Sequence, residues 1–184
     1  MIKLIFKIVP FLAVMFISTQ SLAQKLSSKT SNITFYSHTA LEDIKASNTA
    51  SVGILDPTTG DVVFSVPMQS FEFEKALMQK HFNGADFLDT KNEPKAKLAG
   101  KITNLSQVNF KKDGIYTADV AGDMTIKGVT KQFTAKATIT VHGSTISVES
   151  KFDITLEDYG IAFIKGKPST NIAKTVQTTI LAEY

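Results

Sequence analysis

The chain has 184 residues, with 20 lysines, no arginine, 17 acidic residues and no cysteine, for a formal net charge of +3. That length suits one domain with a sizeable core, and the absence of cysteine excludes a disulfide framework and a lipid-modified cysteine anchor. Without arginine's planar fork, and with lysines scattered among acids, the basic balance is no sign of a nucleic-acid groove.

The first stretch, from Met1 to Lys7, carries two lysines and no acid, and Ile8 to Ile17 is almost wholly apolar. Small residues at Ser21 and Ala23 come next, so residues 1–23 are expected to be a cleaved signal peptide and residues 24–184 the exported domain. The apolar run is too short to span a bilayer, so no integral membrane span is expected. Lys3 and Lys7 would leave with the leader, setting 18 lysines against 17 acids, a net +1. The expected location is the periplasm or the cell exterior.

Alternation of apolar and polar residues dominates the rest of the chain, the mark of half-buried antiparallel strands. A strand near Ile33 and Phe35 opens the domain. Ala50, Val52 and Ile54 lead into Asp56-Pro57-Thr58-Thr59-Gly60, a turn by its proline and glycine. The partner strand places Val62, Phe64, Val66 and Met68 on one face. At Pro67 the parity slips toward Phe71 and Phe73, as at a bulge or an edge. Between Glu72 and Phe82 the spacing of Phe73, Leu77 and His81/Phe82 turns helical, with Gly84 as its stop. A strand from Ala96 to Leu105 comes next. Three long runs succeed it, with Tyr116, Ala118, Val120, Gly122, Met124 and Ile126 on one face of the first. Phe133, Ala135, Ala137, Ile139 and Val141 share a face of the second, and Ile146, Val148, Ser150, Phe152, Ile154 and Leu156 of the third. Turns at Lys127-Gly128 and Gly143-Ser144 join them. Val176, Thr178, Ile180, Ala182 and Tyr184 close the chain.

About eight strands with short connections and one interrupting helix fit a sandwich or a closed up-and-down barrel. Closure has the merit of removing exposed edges. The inward face also carries Ala96, Gly100, Ala118, Gly122, Ala135, Ala137 and Ser150. Repeated small residues suit either a hollow lined by apolar walls or large side chains crossing from the opposite wall. The pattern alone leaves both open.

GDMTIKGVTKQF (Gly122 to Phe133), FDITLEDYGI (Phe152 to Ile161) and the stretch from Ala76 through His81-Phe82 and Pro94 to Ile102 together resemble the YceI-like family. The resemblance runs from about Ile33 to Tyr184. It implies an all-β fold, a closed antiparallel lipocalin-like β-barrel of about eight strands with one short helix. It further implies extracytoplasmic binding of a polyisoprenoid or another long apolar molecule. Two positions depart from the family pattern, which has an aromatic before the proline and another two residues before the glycine. This chain has Glu93 before Pro94, and Leu98 before Ala99-Gly100.

No motif here activates a nucleophile, builds a phosphate loop or sets metal ligands at a workable spacing. His38, His81 and His142 stand apart, Asp56 and Asp61 lack a calcium-loop pattern, and Glu157 and Asp158 would point to opposite faces of a strand. The expected function is non-catalytic sequestration or carriage of a long-chain lipid, with no cofactor and no metal. The expected cavity wall is Phe64, Val66, Tyr116, Val120, Met124, Phe133, Ile139, Val148, Phe152 and Ile154, although each also fits a plain core. Lys80, His81 and Lys165 are candidates for a ligand head at the mouth. The rival expectations are an interaction or envelope-stress protein with a filled barrel and an extracytoplasmic enzyme. The enzyme would need a perturbed titratable group on the inner face.

Overall fold

In a computed structural model describing residues 25–161, 163–164, 167–168 and 171–184, the alternating runs become strands. They are β1 (Leu26–Ser27), β2 (Thr30–His38), β3 (Asp43–Asn48), β4 (Val52–Leu55), β5 (Asp61–Pro67) and β6 (Glu72–Phe73). After helix α1 (Ala76–Asn83) come β7 (Lys95–Ile102), β8 (Gly114–Ile126), β9 (Val129–His142) and β10 (Thr145–Thr155). The last are β11 (Phe163–Ile164), β12 (Lys167–Pro168) and β13 (Thr175–Glu183). The expected signal peptide and Lys165 lie outside the described residues.

Eleven strands form one antiparallel sheet in the order β1-β4-β5-β7-β8-β9-β10-β13-β2-β3-β6, while β11 and β12 pair separately. The expected closed barrel of about eight strands is met in part: among the described residues the fold is all-β with one short α-helix, and the ladder runs from β1 to β6. The extra strands come from short edge segments and from β3, whose sequence Asp-Ile-Lys-Ala-Ser-Asn offers only Ile44 and Ala46 to an apolar face. The two ends of the sheet are nevertheless drawn together. Between β1 and β2, the Ser28 N–H donates to the Gly53 carbonyl in β4 (2.8 Å) and the Lys29 N–H to Glu183 in β13 (2.7 Å). Buried Asn48 makes a second tie, its amide donating to the Pro67 carbonyl (2.7 Å) and its oxygen accepting from Ala50 N–H and the Ser51 hydroxyl.

The longest pairing, β8 with β9, runs from Gly114 opposite Val141 to Ile126 opposite Val129. Its two-residue turn has positive φ at both Lys127 (49°) and Gly128 (72°), the geometry that matches the twist of a tight hairpin. One neighbouring glycine answers to close approach instead. A Cβ on Gly122 would sit 2.2 Å from the Ala99 carbonyl and 2.3 Å from the Gly100 Cα, so β7 and β8 meet there backbone to backbone.

Two local expectations need correction. In β4 the inward residues are Gly53 and Leu55, and Val52 and Ile54 face out. The Phe64 ring and the Tyr184 hydroxyl converge on Gly53, where a Cβ would lie 2.7 Å and 2.6 Å from them, so any larger residue would have to displace them. The helix covers Ala76–Asn83 rather than starting at Glu72, because Phe73 is taken up in β6 opposite Ala46. Leu77, expected on the buried face, is 62 % exposed, while Phe82 is buried.

Candidate ligand cavity

The inner face of the sheet encloses two unequal spaces. The larger, about 680 Å³, occupies the half beneath α1, between the ends of β2, β5, β7, β8, β10 and β13. The smaller, about 40 Å³, lies toward Tyr184 and the start of β8. Small inward residues are not what opens the large space. Of the seven identified in the sequence, only Ala96 borders it; Ala118, Ala135, Ala137 and Ser150 border the small one. Ala118 stands opposite Ala137, which stands opposite Ser150, making a small-residue patch across three strands. Phe64, Phe133, Ile139 and Tyr184 fill the space beside it.

The large cavity owes its upper wall to phenylalanines that the strand and helix patterns did not single out as wall residues. Phe35 of β2 lies at the centre, 5.4 Å from Phe71, 5.7 Å from Phe73 and 5.7 Å from Phe82, the last in a stacked pair. Phe82 also meets Phe73 at 4.9 Å and Phe87 at 6.3 Å. The cluster fastens α1 over the sheet and leaves ring surface facing the cavity, with Met78 beside it. Phe71 and Phe73 come just after the parity slip at Pro67, and that slip was the available signal: the chain leaves β5 there and delivers both rings to the opening.

The structure divides the expected wall residues among different places. Phe64, Val66, Met124, Phe152 and Ile154 border the large cavity. Val120, Phe133, Ile139 and Val148 border only the small void, and Phe64 and Phe152 border both. Tyr116 borders neither; its hydroxyl donates to the Lys112 carbonyl at 2.8 Å and its ring lies against Gly114. Of the head-group candidates, Lys80 and His81 lie on α1 at the exposed rim of the large cavity. Leu98, one of the two departures from the family pattern, borders both spaces.

Among the described residues that border the cavity, the charged side chains are not buried. Glu42 borders the opening and pairs with Lys75 at 3.1 Å. Deeper in, Ser37 accepts the Ala173 N–H at 2.9 Å, and Thr178 carries a buried hydroxyl with no protein hydrogen-bond partner. Displaced pKa values arise elsewhere. On the outer face of β2 and β3, His38 and then Tyr36 hydrogen-bond Asp43 and hold its carboxyl below the usual range, and the same contact raises the Tyr36 phenol. Burial pushes up Tyr159 and, strongly, Tyr184, which borders the small void. In the β4–β5 turn, the Thr58 and Thr59 amides hold the Asp56 carboxyl down. Glu157 and Asp158 are the exposed residues of a 3-10 turn rather than part of a strand. Among the described residues, no group of three or more His, Asp or Glu is placed to hold a metal, and no helix is long and apolar enough to cross a membrane. The arrangement is a deep apolar chamber with a polar lip, suited to holding a molecule with a long nonpolar part.

Comparison with known proteins agrees with this architecture. The model of the YceI-like domain matches residues 24–184. A UPF0312 protein of Pseudomonas putida is 32 % identical over 121 residues, covering 62 % of this chain and 58 % of that protein, so the chain spans less than two thirds of the relative's length. Protein YceI of Escherichia coli is 28 % identical over 123 residues, covering 64 % of this chain and 60 % of its own. Among solved structures, a polyisoprenoid binding domain from Saccharophagus degradans superposes with a TM-score of 0.72 at 14 % identity, over 86 % of this chain and 96 % of that one. BcnA of Burkholderia cenocepacia gives 0.69 at 18 % identity, over 84 % and 96 %.

Proposed function

Because the chain belongs to the YceI-like family, we propose that it is an exported, non-catalytic carrier that holds a polyisoprenoid or a similar long-chain lipid in its apolar chamber. The observation that carries this reading is the chamber of about 680 Å³, bordered by phenylalanine, isoleucine and methionine side chains and opening at a charged rim. Each methylene-sized group taken from water into such a space gains roughly 0.8 kcal/mol, so a long chain needs no strong polar anchor to bind usefully. The superposition on a polyisoprenoid binding domain supports the ligand class through shared fold. At the rim, Lys80 and His81 would meet a polar head as a point charge and a hydrogen-bonding ring. The charged, apolar and small-residue sequence of residues 1–23 supports passage to the periplasm or beyond.

The side-chain-filled interior of the interaction-protein reading corresponds only to the half around the small void. The test is organic extraction of the protein purified from its native envelope, followed by mass spectrometry. A stoichiometric long-chain lipid is the expected outcome. An empty extract from folded protein would overturn the carrier reading and move the search to surface partners.

A further inference from the structure

Four side chains border both internal spaces: Phe64, Leu98, Phe152 and Ile180. We propose that they form a floor that limits the apolar tail this chain accepts, a property that rests on the carrier reading above. Phe64, Leu98 and Ile180 are buried core side chains, and Phe152 is half-buried and packed against that core. Phe64 stands opposite Leu98 on one side and Gly53 on the other, and its ring occupies the place a side chain at Gly53 would take. Phe152 is steadied from below by Phe133, edge to face at 4.6 Å. Beyond the floor, the void among the described residues is about 40 Å³, room for one or two carbon-sized groups.

The volume above the floor then sets the tail. A dry cavity of about 150 Å³ takes up benzene, which assigns about 25 Å³ to each carbon. The upper space of about 680 Å³ would hold about 27 carbons if filled completely, and roughly twenty with the loose packing of a flexible chain. The favoured ligand therefore carries about four isoprene units or a fatty chain of similar length. A longer polyisoprenoid binds with its surplus outside the mouth, where further units add no affinity.

The experiment measures dissociation constants for polyprenyl alcohols of about two to eight isoprene units, with wild-type protein and with Phe152→Ala and the milder Phe152→Leu. In the wild type, affinity should climb by up to roughly fourfold per added methylene-sized group and then level off near four units. Either variant that retains the wild-type circular dichroism spectrum should move the break toward longer chains. A wild-type affinity that keeps climbing to the longest alcohol overturns the floor and leaves the carrier reading standing. A break that stays in place in both folded variants also overturns the floor. Absence of binding at every length overturns the carrier reading, and the floor with it.

Discussion

The two halves of the interior combine small and large side chains differently, to opposite effect. Around the small void three alanines and a serine face large rings and aliphatic side chains, and little space is left. Around the large one they contribute phenylalanines, isoleucines and methionines, and the space is open. Residue size on one wall does not decide whether a barrel is hollow; the side chains reaching it from the opposite wall do. Ala118, Ala137 and Ser150 are small because Phe64, Phe133 and Tyr184 fill the space they face. The phenylalanines above are held to the wall by one another and by α1, so they line a space without filling it.

Substitutions that add volume in each half probe that contrast. The largest effect is expected at the seam between β7 and β8, where Gly122→Val would drive a side chain into the Ala99 carbonyl and the Gly100 backbone. A loss of about 3 kcal/mol or more in urea-monitored stability is expected. Ala118 is completely inaccessible beside the small void, and Ala118→Leu should cost about 2 kcal/mol by the same measurement. Ala96→Leu, bordering the large cavity, should cost less than about 1 kcal/mol, because the added carbons enter open space. That variant should instead weaken binding of an apolar fluorescent probe. Equal costs for the two alanine substitutions would break the comparison.

A pH effect is expected in the turn that joins β4 to β5. Asp56 accepts the Thr58 and Thr59 amides at 2.9 and 3.1 Å, and its native pKa is lowered mainly by those bonds. The ionised turn therefore contributes its full stabilisation above the unfolded value of about 3.9 and loses it as pH falls through the lower native value. Urea midpoints tracked downward from about pH 5 should fall less for Asp56→Asn than for wild type. The smallest effect is expected at Leu77, 62 % exposed on α1, where Leu77→Ala should change stability by less than about 0.5 kcal/mol.

Much of the fold was legible because period two persists along β8, β9, β10 and β13, and each half-buried strand shows one face to water. β3 was illegible since two apolar residues in six make no pattern, and its inward Asn48 is polar yet hydrogen-bonded through both its amide and its oxygen. In β4 the alternation was present with its sense inverted, a glycine occupying the inward place that two distant rings require. The site was legible only in part. Alternation assigns residues to the inner face but carries no information on depth, so Tyr116 and Ile139 looked equivalent to Met124 and Ile154. The cluster around Phe35 depends on contacts between β2, the segment after Pro67 and α1, which no local pattern records.

The central claim, that the chamber beneath α1 is the ligand space and the opposite half is packed core, is tested most directly by methyl NMR. Lipid-free protein would be titrated with an isoprenoid alcohol of about four units. Large shifts are predicted for the methyls of Met78, Met124 and Ile154, which border the large cavity. Ile139 and Val148, which border only the small void, should stay in place. Shifts of equal size in both groups, or confined to Ile139 and Val148, would contradict that claim.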